Sequence, residues 1–296
     1  MSTPGRATPK VTVYIPAYDV AEFLARAIDS LLNQTLPPAE ILVVDDGSRD
    51  NSAEIARGYP QVTLLRHDRN KGLGTARNTA LHAAKSDLLA SMDADCVASP
   101  TWLAELTNIL EDPAIVGASG KLIEGVQNTT ADQWRAIHMP QNWGDRPVRD
   151  PKFLFGCNNL FRKPALLAAG GYNESMRTNG EDVDLCVRLR QNRGTFFYTP
   201  AATVTHLRHD TTSSILNTYW CWWRFGVNAY ARGPRLRSVL GHALKVHFRY
   251  NFLEPFEKDI RARRWKLAAF DFLILLYFPY KDFQLWWNGR RGPTSN

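Results

Sequence analysis

The sequence predicts an α/β fold in which helices cover both faces of a mainly parallel sheet. Two observations support this prediction. Between residues 11 and 92, short apolar segments alternate with segments whose apolar residues recur at helical spacing. Carboxylates directly follow two of the apolar segments, at positions 45–46 and 93–95. The β-α-β order is typical of parallel sheets, whose ligands bind outside the carboxyl ends of the strands.

The pattern begins with two strands on either side of a helix. An apolar run at 11–16, ended by proline, predicts a buried first strand. Residues 22–34 carry apolar side chains at helical spacing, which predicts a helix. Residues 41–44 are Ile, Leu, Val and Val, which predict the second strand. The residues at 45–48, Asp, Asp, Gly and Ser, predict a turn after that strand.

The pattern then repeats. Residues 52–59 predict a short helix, and the apolar residues at 62–65 predict a third strand. Gly72 and Gly74 open a helix that runs through an alanine-rich segment to about residue 84. The fourth strand is predicted within 86–92 and ends at the carboxylates of residues 93–95.

Beyond residue 95 the pattern is less regular. Residues 127–151 are rich in Trp, Pro, Asn and Asp, and they predict a long functional loop. The other expected elements are, in chain order, a helix at 102–110, strands at 115–120 and 153–161, a helix from residue 164, a helix at 180–191, and short strands at 195–198 and 203–206.

Composition excludes several classes of protein. The chain has 296 residues, of which 44% are hydrophobic and 22% charged, as expected for one large globular domain or a domain with an appendage. Its four cysteines form no CxxC pair, so we expect reduced thiols rather than a zinc site or a disulfide framework. The first ten residues contain no apolar core of a secretory signal. The longest apolar run, 267–280, is too short to span a bilayer, so we expect no integral membrane segment.

Positive charge is concentrated at the end of the chain. Residues 206–296 contain 15 Lys and Arg against 6 Asp and Glu, whereas the other residues contain 21 against 23. Trp, Tyr and Phe are interspersed with these cations. Such a mixture favours an anionic membrane surface. Packing on the rest of the chain or on a second subunit is the next alternative, and nucleic acid is the least favoured.

Two acidic pairs are candidate ligands of a nucleotide and its metal. Asp45 and Asp46 follow the second strand, and Asp93 and Asp95 follow the fourth. Carboxylates are hard ligands that can hold Mg²⁺ or Mn²⁺ against a diphosphate. Asp93 and Asp95 are also compatible with two solvated acids in a turn. Asp45 and Asp46 are equally compatible with a turn that caps the next helix.

Three further segments carry candidate functional side chains. Residues 72–78 resemble part of a phosphate loop but lack a Walker lysine, and Arg77 is either a diphosphate contact or a surface arginine. Glu181 and Asp182 begin a predicted helix, where acids complement the helix dipole or act as a general base. On sequence alone, Asp184 and Glu181 compete for the role of the base. His206 is either structural or a ligand of a transition-type divalent metal.

Taken together, five segments resemble family 2 glycosyltransferases. They are VYIPAYD (13–19), VVDDGSRD (43–50), NKGLGTARN (70–78), DAD (93–95) and GEDVDL (180–185). The resemblance covers about residues 10–210. It implies the GT-A fold and inverting transfer of a sugar from a nucleotide diphosphate donor, usually UDP. We therefore expect a flexible N-terminus (1–9), a GT-A catalytic domain (10–212) and a helical C-terminal extension (213–296).

The resemblance also implies roles for individual residues. It assigns the nucleotide pocket to Pro16, Ala17, Tyr18 and Asp46, and places Arg77 near the base and diphosphate. It implies that Asp93 contacts the ribose or the metal's shell, that Asp95 binds Mn²⁺ or Mg²⁺, and that His206 is a further metal or diphosphate ligand. It makes Asp182 the catalytic base, with Glu181 beside it, and places Asn158 and Asn159 in an acceptor-facing loop.

The chain departs from the processive members of that family. Their Q-x-x-R-W segment has no match at residues 219–226, and no transmembrane helix is predicted, so we expect a single sugar addition. The expected acceptor is a glycan or lipid-linked hydroxyl. The expected location is cytoplasmic, with peripheral contact to the membrane. The alternatives are a nucleotidyltransferase, for which no basic activation loop is present, and a non-catalytic nucleotide-sugar binder or membrane scaffold.

Overall fold

The computed structural model describes residues 9–228 and 243–290. Residues 1–8 of the predicted flexible N-terminus (1–9) lie outside the described part. The chain divides into two compact units. The first, the sheet unit, contains the chain up to Gly125 together with Gln141–Arg208. The second, the helical unit, contains Val126–Pro140 and the chain from His209 onward.

The sheet unit contains a nine-stranded mixed sheet, and helices pack on it. The spatial order is β3-β2-β1-β4-β8-β6-β9-β5, with β7 also paired to β9. The strands are β1 (Val11–Ala17), β2 (Glu40–Asp45), β3 (Val62–Arg66), β4 (Leu88–Met92), β5 (Cys96–Ala98), β6 (Ile115–Glu124), β7 (Val148–Arg149), β8 (Asn158–Arg162) and β9 (Thr195–His206).

The helices of the sheet unit follow the strands in the predicted alternation. They are α1 (Ala21–Leu32), α2 (Ser52–Arg57), α3 (Leu73–Ala83), α4 (Trp102–Ile109), α6 (Lys163–Ala168) and α7 (Glu181–Gln191). The helical unit contains α5 (Thr130–His138), α8 (Thr212–Asn228), a π-helical segment α9 (Ala243–Leu253), α10 (Glu254–Arg261) and α11 (Trp265–Arg290). The predicted α/β fold is confirmed.

The parallel strands bring the carboxyl ends of the first elements to one edge. Strands β3, β2, β1 and β4 are mutually parallel, and Ala17 at the end of β1 is opposite Asp45 at the end of β2. Strand β8 is antiparallel to both β4 and β6, while β6 and β9 are parallel. The sheet is therefore parallel where the nucleotide pocket was predicted and mixed beyond β4.

Alternation along the strands creates an apolar core on each face of the sheet. Val13 and Ile15 of β1 pack in one cluster with residues of α1 and α4. Tyr14, between them, packs in the other cluster with residues of α3 and α7. Each fully buried aliphatic side chain stabilises the fold by roughly 1.5–3 kcal/mol.

Two local predictions were wrong. The predicted loop 127–151 contains the helix α5, which a capping box begins: the Thr129 side chain accepts from the Asp132 N–H, and the Asp132 carboxylate accepts from the Thr129 N–H. The two predicted strands at 195–198 and 203–206 form one continuous strand, β9, because β6 pairs along its whole length through two register shifts.

The helical unit has its own apolar core. Trp134 of α5, Ile215 of α8, and Ile274 and Phe278 of α11 are buried together. Within the described residues, no helix is both long and apolar enough to cross a bilayer.

The capping box of α5 provides a test of the helical unit. Replacing Thr129 by alanine removes the acceptor of the Asp132 N–H, at a cost of about 1 kcal/mol in the free energy of unfolding. Urea unfolding followed by circular dichroism measures the change. The control is Asn128→Ala, at the exposed position before the cap, which should change the midpoint little. Equal midpoints for both variants would contradict the capping assignment.

Candidate functional site

The first part of the site is the turn after β2. Asp46 is buried, and its carboxylate is fully engaged by the protein. One oxygen lies 2.6 Å from His67 Nδ1 and accepts from the Lys71 N–H at 2.8 Å, and the other accepts from the Gly72 N–H at 2.8 Å. Asp46 therefore fixes the turn before α3 instead of presenting a free oxygen. Asp45 is also paired, with Arg66 Nε at 2.9 Å.

A cleft of about 740 Å³ opens beside this turn. Tyr18 lies on its wall and is exposed, whereas Ala17 is buried beneath it and Pro16 is half-buried. Its volume is within the range of small-ligand pockets. Three arginines make it positively charged, which suits an anionic ligand. The lining residues are Tyr18, Gly47, Ser48, Arg49, Arg66, His67, Asp68, Arg69 and Asn70.

Arg77 lies under the site and not on the surface. Arg77 is only 1% exposed, so the alternative that it is a surface arginine is wrong. Arg77 Nε lies 3.1 Å from Glu181 Oε1, and Nη2 lies 3.3 Å from Asp93 Oδ1. Arg77 Nη1 donates to the Gly156 carbonyl at 3.1 Å and also to the hydroxyls of Tyr14 and Ser91. This one guanidinium therefore connects α3 with β4, α7 and the segment before β8.

Asp93 and Asp95 occupy the turn between β4 and β5, and both remain partly accessible, with side chains 36% and 23% exposed. Burial raises the pKa of Asp93, and Arg77 opposes that shift. Burial also disfavours ionised Asp95, but the neighbouring His206 holds the pKa of that carboxyl below its usual range. The two carboxylates are thus adjacent and partly accessible, and their pKa values are shifted in opposite directions.

His206, at the end of β9, lies between two carboxylates. Its Nε2 is 3.1 Å from Asp95 Oδ2, and its Nδ1 is 2.9 Å from Glu124 Oε2. Burial disfavours the charged imidazole, but Asp95 and Glu124 outweigh it and raise the pKa of His206 to about 9. A carboxylate behind an imidazole fixes the orientation of the ring, an arrangement that is common where the other nitrogen binds a metal.

Asp182 and Glu181 begin α7, and their environments differ. Glu181 is buried against Arg77, and burial followed by the charge of Asp182 raises the pKa of Glu181 to about 7. Asp182 is partly exposed, and its oxygens accept from the N–H groups of Gly156 and Val183, both at 2.8 Å. Burial raises its pKa as well. Of the two, Asp182 is the more accessible carboxylate.

Two other sets of sequence candidates do not face the site. Asp184 forms an ion pair with Arg188 at 2.7 Å on the same helix. Asn158 and Asn159 are buried in β8, where their side-chain amides donate to backbone carbonyls. Protein groups occupy the whole amide of Asn158 and the amide nitrogen of Asn159, so neither nitrogen points toward an acceptor, and the acceptor role of these two residues stays a prediction.

Sequence reasoning missed two participants. Glu124, behind His206, is separated from it by more than eighty residues, and no local pattern marks it. Gly156 had a signal, because a glycine within a predicted strand often marks a close backbone approach. A Cβ at this position would lie 2.8 Å from Arg77 Nη2 and 3.3 Å from Asp182 Oδ2.

The comparison with known families decides the classification. The profile described as "Glycosyl transferase family 2" matches residues 12–167. The chain belongs to this family. A pre-mycofactocin glycosyltransferase of Mycobacterium tuberculosis is 30% identical over 204 residues, which are 66% of this chain and 42% of that protein. A chondroitin synthase of Escherichia coli is 26% identical over 63% of this chain and 27% of its own length. The chain thus spans less than half of these relatives.

Solved structures with a similar fold confirm the GT-A architecture. A mannosyltransferase from Pyrobaculum calidifontis, in complex with GDP-Man and Mn²⁺, has a TM-score of 0.62 and 16% identity, and the match covers 92% of this chain and 88% of that one. GalNAc-T7 with UDP, GalNAc and Mn²⁺ has a TM-score of 0.56 and 21% identity, over 76% and 50% of the two chains.

The buried position of Arg77 predicts a large stability effect. Arg77→Met leaves Glu181 and Asp93 without their cation, which typically costs about 3–5 kcal/mol for a buried pair. Urea unfolding measures the loss. Arg57→Met, which breaks an exposed pair with Glu54, is the control and should change the urea midpoint little. Adding Glu181→Gln to Arg77→Met should recover part of the loss, and a double variant no more stable than Arg77→Met would count against the pairing.

Proposed function

We propose that this chain is an inverting, metal-dependent glycosyltransferase that moves one sugar from a nucleotide diphosphate donor to a hydroxyl acceptor. The observation that carries the proposal is the bridge made by Arg77. Its guanidinium contacts Asp93 after β4 and Glu181, the neighbour of Asp182, at the start of α7. One buried cation therefore contacts both an acid of the proposed metal and diphosphate site and the residue beside the candidate base.

The cleft beside Tyr18 is the proposed nucleotide pocket. Its position at the carboxyl ends of β1 and β2 is where open α/β sheets bind ligands. In this proposal Tyr18 lines the pocket, Pro16 and Ala17 precede it at the end of β1, and Asp46 shapes the pocket through His67 and the turn before α3. We propose a UDP-sugar, of the hexose or N-acetylhexosamine class, on the basis of the family resemblance. The solved neighbours carry GDP-Man in one case and UDP in the other.

The residues around Asp95 suit a divalent metal. Asp95 and Asp93 offer partly accessible carboxylates. His206 would offer its Nε2 when the metal displaces the proton from that nitrogen, while Glu124 holds its Nδ1. Such a mixed oxygen and nitrogen set suits Mn²⁺ and also accepts Mg²⁺. We propose Asp95 and His206 as ligands, with Asp93 toward the ribose or the ion's outer shell. Bound there, the ion would neutralise the charge that develops on the leaving diphosphate.

Asp182 is the proposed general base. As the acceptor oxygen forms its bond to the anomeric carbon, the bond from that carbon to the diphosphate oxygen breaks, and the diphosphate leaves with the electron pair. The hydroxyl proton passes to Asp182. Burial raises the pKa of Asp182, which makes its carboxylate a better proton acceptor. A single in-line displacement of this kind inverts the anomeric carbon.

Two other functions are less well supported. A nucleotidyltransferase would also bind a nucleotide at this edge, but Asp182 would then have no hydroxyl of a sugar acceptor to deprotonate. A non-catalytic nucleotide-sugar binder or membrane scaffold would not require Asp182 at all. The effect of replacing that residue therefore separates the leading proposal from the scaffold alternative.

Asp182→Asn should abolish turnover while leaving the donor pocket intact. The amide keeps the size of the side chain but cannot accept the proton, so we expect at least a 100-fold lower rate of UDP release with Mn²⁺ and acceptor. Donor-induced thermal stabilisation, measured with a panel of UDP-, GDP- and dTDP-sugars, should persist. The matched control is Asp184→Asn on the same helix, whose partner is Arg188. Undiminished turnover in Asp182→Asn would refute the assignment of the base.

We further propose that the helical unit contacts an anionic membrane surface, where a lipid-linked acceptor would be found. One side of α11 is buried in the unit's core, but the other side carries exposed apolar residues at helical spacing. Leu276, in the middle of this stripe, is 71% exposed. Arg261 and Arg263 just before α11 and Lys266 in its first turn are exposed and would complement lipid charge. The stripe consists of Phe272, Leu276, Tyr280, Phe283 and Trp287.

Vesicle flotation tests this membrane contact. The full chain should float with vesicles containing a third anionic phosphatidylglycerol, and Leu276→Ser/Phe283→Ser should float at least fivefold less. The control is Ile123→Ser/Leu167→Ser, which removes two exposed apolar residues from the sheet unit. Equal flotation of all three proteins would contradict the proposal. A second result would also contradict it: dimers that form with rising concentration in the full chain and in the control but not in the α11 variant. The stripe would then be a contact between subunits.

A further inference from the structure

A second cluster of metal-binding side chains lies in the helical unit. Among the described residues, His138, Asp259 and Asp271 form the one group of three or more whose candidate ligand atoms all lie within 4.8 Å of one another. They come from the ends of α5 and α10 and from the first turns of α11. The two aspartates are fully buried, and the imidazole is nearly so. This cluster takes no part in the proposed transfer reaction.

Asp271 has an oxygen without a partner. Its Oδ1 accepts from Trp134 Nε1 at 2.8 Å, but its Oδ2 is buried and bonded to no described residue. A buried carboxylate oxygen without a donor costs free energy, so a native structure that keeps one calls for an explanation. A bound cation would supply the missing partner.

Asp259 is held in a similar way. Its Oδ1 lies 3.2 Å from Arg264 Nη1, and its Oδ2 lies 2.9 Å from His138 Nε2. Each carboxylate therefore has one oxygen oriented by a protein donor and one directed into the cluster. This outer set of donors is the arrangement that orients ligands at metal sites.

We propose that His138, Asp259 and Asp271 bind a divalent transition metal, with Zn²⁺ the best match. One imidazole nitrogen and two carboxylate oxygens are ordinary zinc ligands at about 2.0–2.2 Å, and a water would complete four-coordination. When His138 is neutral, Asp259 and Asp271 contribute two negative charges and Arg264 contributes one positive charge. A divalent ion compensates the remaining negative charge. The ligand atoms of a tetrahedral zinc site lie about 3.4 Å apart. The candidate ligand atoms here already lie within 4.8 Å of one another, so side-chain shifts alone would close them on the ion.

The metal would fasten together segments that are distant in sequence. His138 belongs to the short segment Val126–Pro140, whereas Asp259 and Asp271 belong to the C-terminal helices. Because such a site exists only when these segments are assembled, its binding free energy stabilises the helical unit directly. This inference does not depend on the proposed transferase activity.

Zinc binding by the full chain tests the proposal. The Asp95→Asn variant provides the background, because it removes a proposed ligand of the other site. This variant is treated with a chelator and then dialysed against Zn²⁺. Elemental mass spectrometry should then find about one zinc per chain, and zinc should raise the Tm of the variant. Adding Asp271→Asn, which keeps an acceptor for Trp134, should bring the retained zinc close to zero. Replacing zinc by Co²⁺ should give a visible absorption band that His138→Gln removes.

The matched control is Asp282→Asn. Asp282 is a second acid of α11 that accepts from a tryptophan, Trp220, but it lies outside the cluster. Added to Asp95→Asn, it should leave the zinc content unchanged. The proposal is overturned if Asp95→Asn retains no zinc, or if the Asp271→Asn and Asp282→Asn proteins retain equal amounts. Circular dichroism of each variant shows whether it is folded, and His138→Gln decides the matter if Asp271→Asn does not fold.

Discussion

The buried guanidinium of Arg77 is the interaction on which the arrangement of the site depends. It is surrounded by two carboxylates, one carbonyl and two hydroxyls contributed by four separate parts of the sheet unit. Taking such a cation out of water is expensive, and only this complete set of acceptors offsets the cost. Loss of one of these acceptors therefore weakens the solvation of the buried charge. This explains why Arg77, one turn into α3, fixes the positions of acids that lie far away in sequence.

That constraint also explains the glycine at position 156. Its carbonyl accepts from Arg77, its N–H donates to Asp182, and a Cβ would approach both side chains. The segment before β8 must therefore come close to the cation and to the proposed base at once. Among the side chains of the α7 N-terminus, Glu181 balances the charge of Arg77, so Asp182 remains the accessible acid. Two adjacent acids thus acquire different tasks from their surroundings.

The repeating part of the fold was predictable because strand and helix periodicities are local properties. The first four strands and three helices were expected within a few residues of their observed bounds. The helix α5 was missed because its Trp- and Asp-containing sequence has a loop-like composition, although Thr129 and Asp132 have the spacing of a capping box. Glu124 and the burial of Asn158 could not be predicted, since both depend on pairing between distant strands.

The long helix α11 shows how one local motif can serve two purposes. Asp271 and Asp282 are eleven residues apart, about three helical turns, so both face the interior. Each accepts from a tryptophan through one oxygen. The second oxygen of Asp282 meets His247 Nε2 at 2.7 Å, so that network is closed by protein groups alone. The second oxygen of Asp271 has no such partner, while His138 and Asp259 lie beside it. The same helix face therefore carries one acid whose two oxygens both have protein partners and one acid whose second oxygen has none among the described residues.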